Sequence, residues 1–249
     1  MPKIKIYTKD DLPGMRKAGA LASATLNYIE EFVRVGVSTE ELDMLCHQYI
    51  LSHSATPAPL NYRGFPKSIC TSVNNVVCHG IPGAYKLKSG DIINIDVTVI
   101  LDGYYGDTSK TFLVGECSKL AETLVRVTRE ALLRGIAAVK PFGYFSDIGN
   151  AIEDFVEGHG FSVVRDYCGH GIGKVFHDSP NIVHYRVSEK QAQILPGMFF
   201  TIEPMLNVGS HKTKLLKDGW TATTVDKSLS AQFEHTLAVL ESGIEVLTE

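Results

Sequence analysis

The chain has 249 residues, of which 44% are hydrophobic and 21% charged, a composition typical of a globular protein with a substantial core. Its formal net charge of −4, without any block of lysine or arginine, argues against nucleic acid as a substrate. The five cysteines form no CxxC pair, the first residues contain no apolar signal-peptide core, and no apolar run approaches the roughly 20 residues that span a bilayer. We therefore expect a cytoplasmic protein that does not depend on disulfides or a membrane.

The first part of the chain predicts two helices. Apolar residues at helical spacing predict a helix over residues 10–36, which Gly36 ends. Ser38 and Glu41 form a capping-box signal for a second helix that reaches about His53. The residues expected on its buried face are Met44, Leu45, Tyr49 and Ile50.

The most informative stretch is a β-hairpin over residues 90–113. The turn signal Asp102 and Gly103 closes it. This register places Asp96 and Asp107 on one face as diagonal neighbours, about 7–8 Å apart at the backbone. Two acids aimed at one point from apolar strands cost free energy unless a cation lies between them. Two solvated acids beside a turn remain the alternative for this pair taken alone.

The second half repeats this order of helices and strands. Apolar periodicity predicts a helix over residues 118–139 that Ser118 opens, and a shorter helix capped by Ser146. We expect no regular structure in the glycine-rich segment 168–180. The strands expected outside the hairpin are 68–73, 76–78, 161–167, 199–208, 221–225 and 232–240.

The two halves also resemble each other in sequence. Asp96 and Glu203 each end a segment that runs from a glycine through an apolar run to an acid six residues on. We therefore predict a single α+β domain made of two pseudo-symmetric halves, roughly 10–115 and 116–249. A curved antiparallel sheet would be backed by helices, and the matching acids would meet near the pseudo-twofold axis.

Three further residues share the character of the hairpin acids. Glu203 and Glu234 are acids in strongly apolar strands, and His170 lies in the glycine-rich segment, where the backbone can approach closely. Acids so embedded are rarely buried unless they are paired or bind a metal. Four carboxylates and one imidazole suit two divalent ions such as Mn(II), Fe(II), Co(II) or Zn(II). Structural salt bridges of Glu203 and Glu234 remain the alternative.

Seven motifs occur along the chain in this order: CHGIP, NIDVTV, DGYYGDTSKTF, YCGHGIG, FHDSP, TIEP and SAQFEHT. Together they resemble the bacterial type I methionine aminopeptidases, over nearly the whole chain. The resemblance implies the pita-bread fold and removal of the initiator methionine from nascent proteins when the second residue is small. Hydrolysis would use a water that bridges two divalent metals. The ligands that the resemblance implies are Asp96, Asp107, His170, Glu203 and Glu234. Asp107 and Glu234 would bridge both ions.

The resemblance also implies catalytic and substrate-binding residues. His177 would hydrogen-bond the substrate carbonyl oxygen, His79 would contact the scissile nitrogen or leaving group, and Glu203 would relay the proton of the attacking water. The walls of a short apolar methionine pocket would be Tyr62, Phe65, Cys70, Phe176 and Trp220, with His79 and His177 beside the substrate. Pro59 stands where many bacterial relatives carry cysteine, so the outer wall of the pocket departs from the pattern. His184 is expected to be an ordinary core or surface residue.

The remaining implications concern partners and rival functions. The resemblance suggests a monovalent cation near Asn74, Val76 and Ser230. It also implies N-terminal methionyl peptides as substrates and suggests the ribosome as a partner. Nothing in the sequence indicates an oligomer, so a monomer is expected. A proline-specific aminopeptidase or prolidase usually carries a large N-terminal domain, for which the segment before the hairpin leaves little room. A non-catalytic pita-bread binding protein would lose ligands, and a metal-storage protein would need no closed aromatic pocket. For the pocket itself, the alternative is that Phe65 and Trp220 are plain core.

Overall fold

The computed structural model of this chain describes residues 4–249. The helices in that range are α1 (Leu12–Glu30), α2 (Thr39–Ser52), α3 (Lys119–Ala138) and α4 (Ser146–Glu157). The strands are β1 (Thr56–Pro57), β2 (Cys70–Val73), β3 (Val76–Cys78), β4 (Ile92–Leu101), β5 (Tyr104–Leu113), β6 (Ser162–Val163), β7 (Gly169–Gly171), β8 (Asp178–Ile182), β9 (Phe199–Ile202), β10 (Met205–Asn207), β11 (Thr213–Leu215), β12 (Ala222–Thr224), β13 (Ser230–Gln232), β14 (His235–Leu240) and β15 (Gly243–Val246). None of the helices in the described range is long and apolar enough to cross a membrane.

The first helix is shorter than its apolar periodicity predicts. It ends at Glu30 rather than near Gly36, because the Phe32 N–H bonds back to the Ile29 carbonyl at 2.9 Å in a tight turn. The Gly36 N–H then donates to the Leu87 carbonyl at 2.8 Å. The last apolar residues of the predicted helix therefore belong to a turn that brings the chain to the start of α2.

The predicted capping box of α2 is confirmed. The Ser38 hydroxyl accepts a hydrogen bond from the Glu41 N–H at 3.2 Å, and the Glu41 carboxylate accepts one from the Ser38 N–H at 2.7 Å. The predicted buried face is partly wrong, since Met44 is 48% exposed while Leu42 and Cys46 are fully buried. The helix therefore faces the core along a stripe rotated from the one that the sequence predicts.

The two helices of the second half begin differently. Ser118 caps α3 as predicted, its hydroxyl accepting a backbone N–H at 3.2 Å. Ser146 is instead the first residue of α4, and Phe145 occupies the N-cap position without a side-chain cap. The Asp147 carboxylate accepts the Tyr144 N–H at 3.0 Å, which ties the preceding turn to the helix. The Phe145 ring is almost fully buried. Its packing in the core therefore makes Phe145 the N-cap residue, one position before the serine that the sequence predicts as the cap.

The central hairpin of β4 and β5 has the predicted register. Both residues of its two-residue turn have positive φ, 51° and 80°, as a turn of this length requires. Asp96 pairs with Ser109, and Thr98 pairs with Asp107. The two acids are therefore diagonal neighbours on one face of the strand pair.

The predicted curved antiparallel sheet is divided into four hydrogen-bonded sheets in the described part of the chain. Their strand orders are β1-β4-β2 with β5 on β4, β13-β10-β6, β11-β12-β3, and β15-β14-β9-β7-β8. An antiparallel bridge between Ser109 and Glu234 joins the first sheet to the residue that precedes β14. The strands of the two halves therefore meet where two of the candidate ligands lie.

Two strand predictions and one loop prediction for the second half are wrong. The strand expected over 161–167 reduces to the two residues of β6, and the segment 168–180 contains β7 and β8 instead of an irregular loop. Gly169 and Gly171 permit this pairing, because a Cβ at either position would approach backbone oxygens to 2.4 and 2.2 Å. The strand expected over 199–208 is interrupted by a Glu-Pro pair and becomes β9 and β10.

Each half packs its helices against its own strands. In the first half, α1 and α2 cover β4 through a core that includes Ile29, Ile50 and Ile95. In the second, α3 and α4 cover β9 and β14 through residues such as Leu124 and Phe200. These two cores give the molecule the two-layer α+β arrangement that the repeat predicts.

Candidate metal and peptide site

Five strands or strand ends present the predicted acids and imidazole to one cavity. Asp96 lies on β4, Asp107 on β5 and His170 on β7, while Glu203 follows β9 and Glu234 precedes β14. All five side chains line a cavity of about 370 Å³. The structure thus brings together every residue of the predicted ligand set.

The centre of the set is compact enough for a metal ion. His170 Nε2 lies 3.5 Å from Asp107 Oδ2 and 3.7 Å from Glu203 Oε1. One ligand atom each from Asp107, His170 and Glu234 lies within 4.8 Å of the other two. Atoms at these separations can move onto a common ion by small side-chain rotations.

Neighbouring side chains orient two of the acids. The Thr98 hydroxyl donates to Asp107 Oδ1 at 2.7 Å from the opposite strand position. The Thr201 hydroxyl donates to Glu203 Oε1 at 2.7 Å, and the Gln232 amide donates to Glu203 Oε2 at 3.3 Å. These hydrogen bonds fix the orientation of both carboxylates at the cavity.

Within residues 4–249, no lysine or arginine forms a salt bridge with the acids of this cluster, whose charged neighbour is His170. Burial, followed by repulsion from Asp107 and Glu203, raises the pKa of Asp96 well above its usual value. Burial and the same kind of repulsion also raise the pKa of Glu234, and they raise that of Glu203 to about 7. Burial acts to lower the pKa of His170, but its contact with Asp107 and the charge of Glu203 outweigh it and raise that pKa.

One buried oxygen has no partner in the protein. Asp96 Oδ1 is inaccessible to solvent and makes no hydrogen bond within residues 4–249. An orphaned carboxylate oxygen beside other acids is what a site for a divalent cation leaves when only protein atoms are considered. The donor set of oxygen atoms and one imidazole suits hard or borderline divalent ions. The residues present therefore fit a metal centre.

The two predicted catalytic histidines both line the cavity. His79 has φ +55° in the turn after β3, and its ring lies 5.6 Å from that of Tyr167 in an edge-on arrangement. The His177 ring lies 4.3 Å from that of His170, and its Nδ1 lies 3.1 Å from the Tyr62 hydroxyl oxygen. Burial lowers the pKa of both, that of His177 to about 4, so both imidazoles are neutral near pH 7.

An aromatic wall closes one side of the same cavity. Phe65 and Trp220 meet edge to face at 5.2 Å, and Tyr62 and Phe176 lie 4.8 Å apart. All four line the cavity together with the buried Cys70. The predicted pocket residues are thus gathered next to the acids rather than serving only as core. Pro59, which departs from the family pattern, also lines this cavity.

Sequence reasoning missed several residues that border the site. His184 is buried, and its Nε2 accepts a hydrogen bond from the Glu203 N–H at 3.1 Å, although nothing in its sequence context indicates this. Burial lowers the pKa of His184 to about 3, so it stays neutral. Tyr167, Cys168 and Met205 also line the cavity. These three adjoin the motifs that carry His170 and Glu203, and this proximity was the available signal.

A cluster of buried carboxylates and an imidazole beside an aromatic pocket suits a metal-dependent peptidase, and comparison with protein families agrees. Residues 13–241 match the profile of metallopeptidase family M24. The chain belongs to this family.

Individual relatives show which members of the family this chain resembles. The methionine aminopeptidase of Rickettsia prowazekii (strain Madrid E) is 56% identical over 246 residues, which are 98% of this chain and 95% of that protein. A crystal structure of methionine aminopeptidase from Rickettsia prowazekii has a TM-score of 0.97 at 55% identity and covers 99% of this chain and 100% of that one. The predicted resemblance to the bacterial methionine aminopeptidases and the pita-bread fold are therefore confirmed.

The rival family members share only the fold. The Xaa-Pro dipeptidase from Bacillus anthracis has a TM-score of 0.79 at 22% identity, and the match covers 98% of this chain but 62% of that one. At this identity the likeness carries no information about substrate. The comparisons therefore favour an aminopeptidase of the methionine type over the proline-specific alternative.

Proposed function

We propose that this metallopeptidase removes the initiator methionine from nascent proteins whose second residue is small. The observation that carries the proposal is that the aromatic pocket and the buried acids line one cavity, so a bound methionine side chain and its peptide bond would be held side by side. The names of the most similar relatives point to the same substrate.

The metal ligands in this proposal are the five residues Asp96, Asp107, His170, Glu203 and Glu234. Two divalent ions, drawn from Mn(II), Fe(II), Co(II) and Zn(II), would lie among them, with Asp107 and Glu234 reaching both. Such ions supply Lewis-acid activation of water and of the peptide carbonyl. Binding of the free α-amino group of a substrate at this centre would select for the first peptide bond of a chain.

The proton-handling group is Glu203. Its two oxygens accept hydrogen bonds from Thr201 and Gln232, which fix the orientation of the carboxyl. His184 accepts a hydrogen bond from the Glu203 backbone N–H and so holds the backbone that carries this carboxyl. Glu203 is thus poised to carry the proton of the attacking water toward the leaving amine.

The two neutral histidines bind the peptide unit. His177 donates a hydrogen bond to the carbonyl oxygen as it gains negative charge, with its other nitrogen beside the Tyr62 hydroxyl. His79 contacts the scissile nitrogen from the pocket side, where its ring lies 6.3 Å from that of Trp220. Neutral imidazoles suit these roles, because each offers one donor and one acceptor without adding charge beside the metals.

The pocket and its mouth set specificity. The polarizable thioether of methionine suits a wall of aromatic rings and the Cys70 thiol. The residue that follows would lie in the same cavity beside the metal ligands, where only a small side chain is expected to fit. We therefore expect Met-Ala and Met-Gly peptides to be cleaved and Met-Lys peptides to be left intact.

The test is hydrolysis of a short peptide panel by protein reconstituted with each metal in turn. Release of methionine from Met-Ala-Ser and Met-Gly-Ser, but not from Met-Lys-Ser, would support the proposal. Comparable kcat/KM for all three would contradict the second-residue rule, and cleavage of Xaa-Pro peptides alone would favour the proline-specific function. Glu203→Gln is the matched inactive control, because it keeps the size of the side chain.

Further parts of the proposal concern a second cation and the setting of the enzyme. A monovalent cation would lie near Asn74, Val76 and Ser230, where the Ser230 N–H donates to the Asn74 carbonyl at 2.9 Å and Ser230 Oγ is buried with no partner in residues 4–249. The free cysteines suit a reducing compartment, so we place the enzyme in the cytoplasm. There it would act as a monomer on nascent proteins, with the ribosome as a partner.

A further inference from the structure

Arg63 lies in a rigid turn at the mouth of the cavity. Asn61, Arg63 and Gly64 all have positive φ, of 65°, 48° and 89°. The Phe65 N–H donates to the Tyr62 carbonyl, and the Asn61 N–H donates back to the Phe65 carbonyl, at 2.9 and 2.8 Å. Arginine rarely adopts positive φ. Its presence at this position therefore points to a function of its side chain.

The charge of Arg63 is presented to the cavity rather than neutralised. Its guanidinium lies 5.2 Å from the centre of the Tyr62 ring, and the residue lines the same cavity as the acids. No carboxylate lies within 4 Å of it in the described part of the chain, whereas Arg16 and Arg186 each bind an acid. Arg63 is also close enough to His177 for its charge to help lower the pKa of that imidazole.

The proposed position of the substrate brings its downstream residues toward Arg63. In the proposed function the first side chain occupies the aromatic pocket and His177 holds the first carbonyl oxygen. His177 is beside Tyr62, and Arg63 follows Tyr62 in the turn. An extended chain advances about 3.3 Å per residue, so the third and fourth residues of a substrate pass the guanidinium.

We propose that Arg63 selects substrates by the charge of their third and fourth residues, favouring acidic over basic side chains. The inference rests on the proposed methionine aminopeptidase activity and adds a determinant beyond the pocket and the small second residue. Attraction between exposed charges acts mainly on capture of the peptide, so the selection falls on KM and is weakened by salt.

The test compares kcat/KM for Met-Ala-Asp-Asp-Ser with that for Met-Ala-Lys-Lys-Ser. In the wild-type enzyme the acidic peptide is favoured, by roughly 3- to 10-fold at low salt, the size expected for exposed charge pairs. The ratio falls toward one in about 0.5 M NaCl. Arg63→Asn brings the ratio close to one, and Arg63→Asp inverts it. Asparagine and aspartate tolerate positive φ, so both variants keep the turn.

The control is Arg126→Asp, which makes the same change of net charge on α3, away from the cavity. It retains the wild-type ratio if the effect is local. An unchanged ratio in Arg63→Asp, or an equal change in Arg126→Asp, overturns the role of Arg63 while leaving the proposed function intact. A wild-type enzyme that releases methionine from neither these peptides nor Met-Ala-Ser overturns the proposed function and this inference with it.

Discussion

Ser109 and Glu234 exchange two backbone hydrogen bonds across the boundary between the halves. The Glu234 N–H donates to the Ser109 carbonyl at 3.0 Å, and the Ser109 N–H donates back at 3.4 Å. Ser109 lies two residues after Asp107, and the Thr108 hydroxyl adds a hydrogen bond to the Glu234 carbonyl at 2.7 Å. The backbone itself thus brings two buried acids together, whether or not an ion is present.

Thr236 reinforces this contact and gives a first prediction. Its hydroxyl donates to the Asp107 carbonyl at 2.7 Å and accepts the Asp107 N–H at 3.3 Å. Thr236→Val keeps the shape of this fully buried side chain but leaves both groups without that partner. We expect a loss of about 1–3 kcal/mol in the free energy of unfolding, measured by urea denaturation, together with weaker metal binding.

Thr128→Val is the matched control for this variant. Thr128 is equally buried, but its hydroxyl donates only to the Leu124 carbonyl of its own helix at 2.7 Å. It should lose less stability and keep its metal affinity. Equal metal affinity in wild type and Thr236→Val would show that the hydroxyl does not position Asp107.

The buried acids make the stability of the metal-free protein dependent on pH. Folding raises the pKa of Glu203 from an ordinary value of 4.5 to about 7 and raises that of Glu234 as well. A carboxyl of this kind stabilises the fold fully below its unfolded pKa, and that stability is lost as the pH rises through the folded value. We expect the titration of Glu203 to lower the free energy of unfolding by about 1.4 kcal/mol per pH unit between about pH 4.5 and 7, and that of Glu234 to act in the same direction.

Urea denaturation across this pH range, with and without Mn²⁺, measures the effect. Bound divalent ions require ionised ligands and should remove the fall with pH. Glu203→Gln, which cannot ionise, should flatten the dependence of the metal-free protein. Stability of the metal-free protein that rises over this interval would contradict the raised pKa values.

The sequence predicted the parts of the site that depend on local spacing. The hairpin register followed from a two-residue turn, and it placed Asp96 and Asp107 correctly before any tertiary contact was known. The half-chain repeat likewise indicated that Glu203 would join them. These predictions succeeded because strand alternation and turn length are properties of a few neighbouring residues.

The predictions that were wrong or missing concern features that depend on contacts between distant segments. β7 and β8 form in a glycine-rich stretch because neighbouring backbone can approach Gly169 and Gly171, which local propensity does not reveal. His184 supports Glu203 from 19 residues away in sequence, and its own neighbours carry no sign of that role. The start of α4 was set by burial of Phe145 rather than by the serine that follows it.

A third prediction concerns His79. Its ring borders both the pocket and the acids, so His79→Ala should lower kcat for Met-Ala-Ser by about 10²-fold in the metal-loaded enzyme, while metal affinity stays near that of wild type. Steady-state kinetics and metal titration on the same preparation separate the two effects. His47→Ala is the control, since His47 contacts Ser68 and does not line the cavity. Wild-type turnover in metal-loaded His79→Ala would remove this residue from the mechanism.

The pocket wall gives the last prediction. Trp220 meets Phe65 edge to face at 5.2 Å, and both line the cavity. Trp220→Ala should lower kcat/KM for Met-Ala-Ser by roughly 10- to 100-fold, mainly through KM, and should reduce the preference for Met-Ala over Leu-Ala peptides, because the opened wall no longer fits one side chain. Leu215→Ala is the control on the same hairpin, since its side chain is 58% exposed and absent from the cavity lining. If both variants lose activity alike, the hairpin supports folding of the site, and Trp220 does not select the first residue.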